Sequence, residues 1–240
     1  MKTRLNILFE DEHLIVINKP PGLPTIVERF SSDSKNLTGI LCDIYGKIYT
    51  IHRLDKDTSG VICFAKTAEA HSAICTMFEN RLVEKEYLAI VKGKMNQQSG
   101  IIDAALAENR SRPGTMMVSH KGKVARSEFM VLENFQNAAL VKVKTYMGRT
   151  HQVRVHLKHL GHPLLVDEKY SGLNAFYISD FIGGYKIKDG ETPRPTIDRL
   201  TLHAFSLAFT HPFKNESMRI VAPMPHDFEV VLKLLRKYNR

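Results

Sequence analysis

Ile48-Tyr49-Thr50-Ile51-His52-Arg53-Leu54-Asp55-Lys56-Asp57-Thr58-Ser59-Gly60-Val61-Ile62-Cys63-Phe64-Ala65 sets two strand-like runs around a short polar turn. Ile48 to Leu54 and Val61 to Ala65 are rich in β-branched, aromatic and other apolar residues, and Thr58-Ser59-Gly60 carries turn chemistry between them. Side chains alternate faces along an extended strand, so Arg53 and Asp55 share one side while His52 and Leu54 share the other. An arginine and a carboxylate then leave the strand end in the same direction, beside a turn able to hold the carboxylate in a cleft. For this stretch alone, an ordinary Arg–Asp surface pair at a charged turn is the plainer alternative.

Working outward, Ile7 to Glu10 and His13 to Ile17 read as strands around an acidic turn, stopped by Lys19-Pro20-Pro21-Gly22. Residues 31–36 are polar and loop-like, and Asn36 can cap a short helix from Leu37 to Tyr45. Thr67 caps a helix with Ala70, Ile74, Met77 and Phe78 on one face. Tyr87 to Val91 is a strand, residues 94–123 look irregular apart from a stretch near Ile101, and Ser127 to Leu132 pairs with Ala139 to Thr145. Thr150 caps a helix running to Leu160, with Gly161 ending it. Strands at Leu202 to Phe209 and Met218 to Val221 precede a C-terminal helix that turns Phe228, Val231, Leu232 and Leu235 inward. Helices and strands interleave without a regular βαβ repeat, so the fold class is α+β. A single domain over 1–240 is expected, with 171–198 as a surface insertion.

The 240 residues carry a formal net charge of +9 and a pI near 9.4, which favours a polyanionic partner. Charge alone separates neither RNA, DNA nor an anionic membrane surface. No apolar run is long enough for a membrane helix, and no signal-peptide region opens the chain, so a cytoplasmic protein is expected. Cys42, Cys63 and Cys75 show no paired or metal-type spacing and read as buried reduced thiols.

A second charged segment is Gly148-Arg149-Thr150-His151-Gln152-Val153-Arg154-Val155-His156. Arg154 follows the apolar position Val153 and sits at the helix flank, where a partly buried guanidinium wants a carboxylate partner. A basic solvated helix is the alternative. His151, His156, His159 and His162 are spaced by five, three and three residues, without the i, i+4 pair of a zinc-protease helix, so no metal is assigned. In Glu84-Lys85-Glu86-Tyr87-Leu88-Ala89, Lys85 and Tyr87 face one way, and a strand tyrosine is ordinarily a packing residue.

Taken together these segments resemble the RluA-like family of pseudouridine synthases. The resemblance rests on His52-Arg53-Leu54-Asp55 with Thr58-Ser59-Gly60, on Asn18-Lys19-Pro20-Pro21-Gly22, on Lys85-Glu86-Tyr87-Leu88-Ala89, on Gly148 to His156, and on Leu202-His203-Ala204 with His211-Pro212. They occur in the family's order from about residue 7 to 228. Val166 departs from the family by standing where a glycine is usual, and 171–198 matches no family pattern. Many relatives carry an S4-type RNA-binding domain ahead of the catalytic one, and with a strand starting near Ile7 none is expected here.

The resemblance implies a mixed, mainly antiparallel sheet with flanking helices around a central active-site cleft. It implies an isomerase of ribosomal or transfer RNA that breaks the uracil N1–C1′ bond, rotates the base and rejoins it through C5. That reaction has no redox step, so no cofactor is implied. Asp55 becomes the catalytic carboxylate, Tyr87 the residue stacking on the base or taking the C5 proton, and Arg154 an ion-pair partner for Asp55. Arg53 takes the place of a flipped uridine. His52, Arg149, Lys158 and Lys19 become RNA contacts. A monomer without membrane association is expected. A non-catalytic RNA-binding protein or RNA chaperone is the rival, and it leaves unexplained a carboxylate set among cations. A metal-dependent nuclease built on the histidines is a second rival.

Overall fold

The computed structural model describes residues 5–27, 35–180 and 194–238. In chain order its elements are β1 (Ile7–Glu10), β2 (Leu14–Lys19), α1 (Leu37–Tyr45), β3 (Tyr49–Thr50), β4 (Ser59–Ala65), α2 (Ala68–Glu79), β5 (Glu84–Lys92), β6 (Ser99–Asp103), β7 (Leu106–Glu108), β8 (Met116–Val118), β9 (Arg126–Asn134), β10 (Ala138–Thr145), α3 (Gln152–His159), β11 (Leu202–Thr210), β12 (Ser217–Val221) and α4 (His226–Lys237). β4 and β11 pair in parallel while β1–β2, β2–β4 and β6–β9 are antiparallel, and helices do not alternate regularly with strands, so the α+β expectation holds.

Local chemistry accounts for the helix starts. The Asn36 side chain accepts from the Gly39 N–H at 2.9 Å and opens α1, and Thr67 Oγ1 accepts from the Ala70 N–H at 3.2 Å and opens α2. Helix α4 buries Phe228, Val231, Leu232 and Leu235, the predicted stripe.

Two compact units divide the chain. The first comprises residues 1–87, 144–148 and 203–223, the second 88–143, 149–202 and 224–240. In the first, strands run in the order β1-β2-β4-β11, with β3 also on β4 and β12 on β11. Leu14 to Ile17 and Val61 to Ala65 are buried on both faces and form its core with Leu37, Leu41 and Ile74. The parallel contact between β4 and β11 depends on Gly60. Its φ is +114°, and a Cβ there would stand 2.1 Å from the Ala204 carbonyl oxygen, so no side chain fits. In the second unit β10, β9 and β6 are successive neighbours, and β7 and β8 form a separate hairpin against α3.

Four local expectations are corrected. Strand β3 ends at Thr50 instead of reaching Leu54, because the backbone of Leu54 exchanges hydrogen bonds with the Thr25 hydroxyl. Two short strands, β7 and β8, lie in the stretch read as irregular, while β6 falls on the exception expected near Ile101. Helix α3 is capped by His151 in a left-handed conformation (φ 55°), not by Thr150, and the Gln152 side chain accepts the Arg149 N–H. Cys63 alone of the three thiols is fully buried, and Cys42 and Cys75 are half-buried. Parts of two predicted segments, 31–34 within the polar loop and 181–193 within 171–198, lie outside the described residues. The described stems of 171–198 are tied down, with Phe176 and Ile197 buried and bridged through their backbones. Among the described residues no helix is long and apolar enough to cross a membrane.

Candidate active site

Asp55 lies half-buried in the turn between β3 and β4. The Thr58 N–H donates to the Asp55 carbonyl at 3.1 Å and closes the turn. Two buried side chains brace it from outside. Thr25 donates to the Leu54 carbonyl at 2.9 Å and accepts its N–H at 3.2 Å, while Leu54 packs into the core. Lys19 extends from the end of β2 and donates to the carbonyls of Pro20, Leu23 and Lys56 at 2.8–2.9 Å. With 0% exposure, that ammonium is engaged within the fold, which corrects its assignment as an RNA contact. Three carbonyl acceptors explain how a lysine is tolerated there.

His52 serves the same scaffold. Its Nε2 accepts the Cys63 N–H at 3.0 Å, a donor that a longer β3 would have engaged through its backbone. Burial, with the Lys85 charge adding to it, holds its pKa down to about 3, so the ring is neutral and brings no charge to RNA. Arg53 is exposed. Because residues 51–55 do not form a strand, alternation no longer sets the directions of Arg53 and Asp55. Behind the turn, Ser59 Oγ meets His203 Nδ1 at 2.9 Å, locking β4 to β11 next to Gly60.

Tyr87 on β5 belongs to the same unit. Burial raises the pKa of its phenol well above the usual tyrosine range, the Asp55 charge raises it further, and a hydrogen bond with Thr145 opposes both. The carboxylate and the phenol are thus near enough to feel one another, and the phenol keeps its proton.

The remaining predicted residues sit in the second unit. Arg154 is buried on α3 and makes a two-pronged pair with Asp167, Nε to Oδ2 and Nη2 to Oδ1, both at 2.8 Å. Asp167 has a side chain 0% exposed and also accepts the N–H groups of Lys169 and Tyr170. The Arg154 guanidinium lies 4.9 Å from the Tyr170 ring centroid, and the Lys158 ammonium 5.7 Å from it. Arg149 and Lys158 are exposed, and Arg149 Nε donates to the Val124 carbonyl at 3.1 Å. His156 is a core residue, bonded to Ser127 Oγ and the Ala104 carbonyl, and burial lowers its pKa. Val166, in the place of the family glycine, is buried, and its N–H donates to Thr201 Oγ1 at 3.1 Å. Among the described residues no three His, Cys, Asp or Glu side chains gather as a metal site.

Sequence reasoning leaves Thr25, Lys85, Asp167 and Tyr170 unassigned. Asp167 carried a usable signal, since a carboxylate directly after Leu164-Leu165-Val166 must be paired if that run carries it inside. Thr25 carried none, because its hydrogen bonds join segments 29 residues apart.

A braced carboxylate electrostatically coupled to a protonated tyrosine, in a chain of net charge +9, fits an enzyme that works on nucleic acid. The chain belongs to the RNA pseudouridylate synthase family, whose model matches residues 13–159. It is 37% identical to ribosomal large subunit pseudouridine synthase D of Pseudomonas aeruginosa, across 97% of this chain and 72% of that protein. It is 36% identical to ribosomal large subunit pseudouridine synthase C of Yersinia pestis, across 96% and 69%. The solved structure of human RNA pseudouridylate synthase domain containing 4 aligns with a TM-score of 0.71 at 29% identity, covering 96% of this chain and 93% of that one. The protein is therefore an isomerase acting on RNA, and the resemblance drawn from its motifs stands.

Proposed function

We propose that the enzyme isomerises particular uridines of structured ribosomal or transfer RNA, with Asp55 as the catalytic carboxylate acting on a base flipped from its stack. The observation carrying this reading is the Asp55 turn, braced by Thr25 and Lys19 and electrostatically coupled to Tyr87. Fixing a carboxylate's position contributes more than its charge alone, because a reacting group held in place avoids ordering entropy in the transition state. Unstacking the target costs a few kcal/mol, and exposed Arg53 supplies a planar cation that stacks on neighbouring bases and bonds to phosphate in its place. A phenol that keeps its proton suits Tyr87 to stacking on uracil and not to removing the C5 proton. Arg154 is assigned to the same reaction on its place in the family motif, with Asp167 holding its guanidinium.

The names of the two bacterial relatives put large-subunit ribosomal RNA ahead of transfer RNA as substrate. One catalytic domain is the reading of the two units, since their segments interleave along the chain and the family match runs through both. Pseudouridine mapping of total RNA from cells with and without the gene tests the proposal. Loss of one or a few sites, restored by wild-type protein and not by Asp55→Asn, is expected. An unchanged map would refute it.

A further inference from the structure

We propose that Lys85 holds a phosphate of the substrate RNA beside the target uridine, an inference that rests on the assignment of Tyr87 to the target base. Alternation along β5 puts Lys85 and Tyr87 on one face, about 7 Å apart along the strand. Lys85 is only 5% exposed. Its ammonium lies 4.9 Å from the centroid of the Phe78 ring, on which His52 stacks at 5.1 Å. Among the described residues no hydrogen bond or ion pair reaches it.

The contrast with Lys19 gives this meaning. The same unit buries that lysine too, and surrounds its ammonium with three carbonyl oxygens. Around Lys85 the acidic neighbours are engaged elsewhere. Glu84 pairs with Lys144 at 2.8 Å, and Glu86 points to the other face, accepting from Ser206 and Arg219. A buried cation without an acceptor is unfavourable, so one retained next to a reactive centre calls for an acceptor that arrives with the ligand. Burial already pulls its pKa down to about 8, which leaves it mostly charged at neutral pH.

Gly148, which is exposed and lies in the basic motif, neighbours the amine. A Cβ added there would stand 3.6 Å from the Lys85 ammonium, so the exposed Gly148 backbone lies close to the amine. The anion that an RNA-modifying enzyme meets in every nucleotide is phosphate, and a compact ammonium binds it as a point charge.

The test uses the full chain, unmodified large-subunit ribosomal RNA transcribed in vitro, and the variants Lys85→Met, Lys85→Arg and Asp55→Asn. Methionine keeps the unbranched stem and removes the charge. Binding is measured at pH 7 over a salt series, and melting temperature is measured alongside. Lys85→Met is expected to flatten the slope of log K against log salt by about 0.7–0.9, the loss of one phosphate contact, with a melting temperature equal to or above wild type. Lys85→Arg restores the slope, and Asp55→Asn leaves it unchanged. An unchanged slope in Lys85→Met overturns the proposal, and so does a lowered melting temperature or failure to fold, either of which makes the lysine structural. Because the readout is binding, it can fail while uridine isomerisation stands, and the Asp55→Asn activity measurement can fail while this holds.

Discussion

Replacing Arg154 by leucine removes a buried guanidinium from a carboxylate that has no exposure of its own. Two charge-assisted hydrogen bonds of 2.8 Å disappear, each contributing about 1.5–3 kcal/mol. Asp167 keeps the N–H groups of Lys169 and Tyr170, which soften the loss without neutralising the charge. The expected destabilisation is about 3–5 kcal/mol, the usual cost of stranding one member of a buried pair. Urea unfolding followed by circular dichroism reads it directly. With an m-value of about 3 kcal/mol per molar, the midpoint falls by about 1–1.7 M. The double variant Arg154→Leu with Asp167→Leu recovers much of the loss, because the stranded charge goes as well. A single variant that costs less than about 1 kcal/mol, or a double variant as unstable as the sum of the singles, would refute the reasoning.

Tyr87→Phe keeps the stacking ring and is expected to turn over within about tenfold of wild type, whereas Tyr87→Ala loses about 1–3 kcal/mol of base stacking. Turnover by Tyr87→Phe as low as that of Tyr87→Ala would instead assign proton transfer to the hydroxyl. Gly60→Ala drives a Cβ into the Ala204 carbonyl at 2.1 Å, and a loss of about 3 kcal/mol should lower the melting temperature by about 6–12 °C. His52 gives the acid limb a definite sign. Its folded pKa is depressed to about 3 from 6.5, so the unfolded chain takes up a proton that the fold refuses. Its contribution is complete above about pH 6.5 and is lost as pH falls towards 3, by at most about 1.4 kcal/mol per pH unit. His52→Gln should flatten that limb in urea titrations across the window, and an unchanged slope would count against the neutral buried ring.

Features fixed by neighbours in the chain were legible. Asn36 and Thr67 cap the helices they precede, because a cap is a local hydrogen bond, and the stripe of α4 follows from helical period alone. Misreadings came where a distant side chain overrides local preference. Thr25 takes the backbone of Leu54 out of β3, although Ile48 to Leu54 has strand composition throughout. Residue type also misled at Lys19, where a lysine in a basic chain reads as a nucleic-acid contact until three carbonyls are found around it. The role proposed for Asp55 has a different source. Its stretch alone reads more plainly as a charged surface turn, and its assignment comes from motifs in a fixed order. The structure contributes what those motifs cannot, namely the braces that hold the turn and the nearby phenol that keeps its proton.

The most direct measurement is tritium release from RNA labelled at uridine C5, since rejoining the base through C5 must expel that hydrogen. Wild-type protein is expected to release tritium from an RNA carrying its target uridine. Asp55→Asn should release none above background while binding the same RNA within a few-fold of wild type. Release by Asp55→Asn at a rate comparable to wild type would contradict the assignment of the catalytic carboxylate.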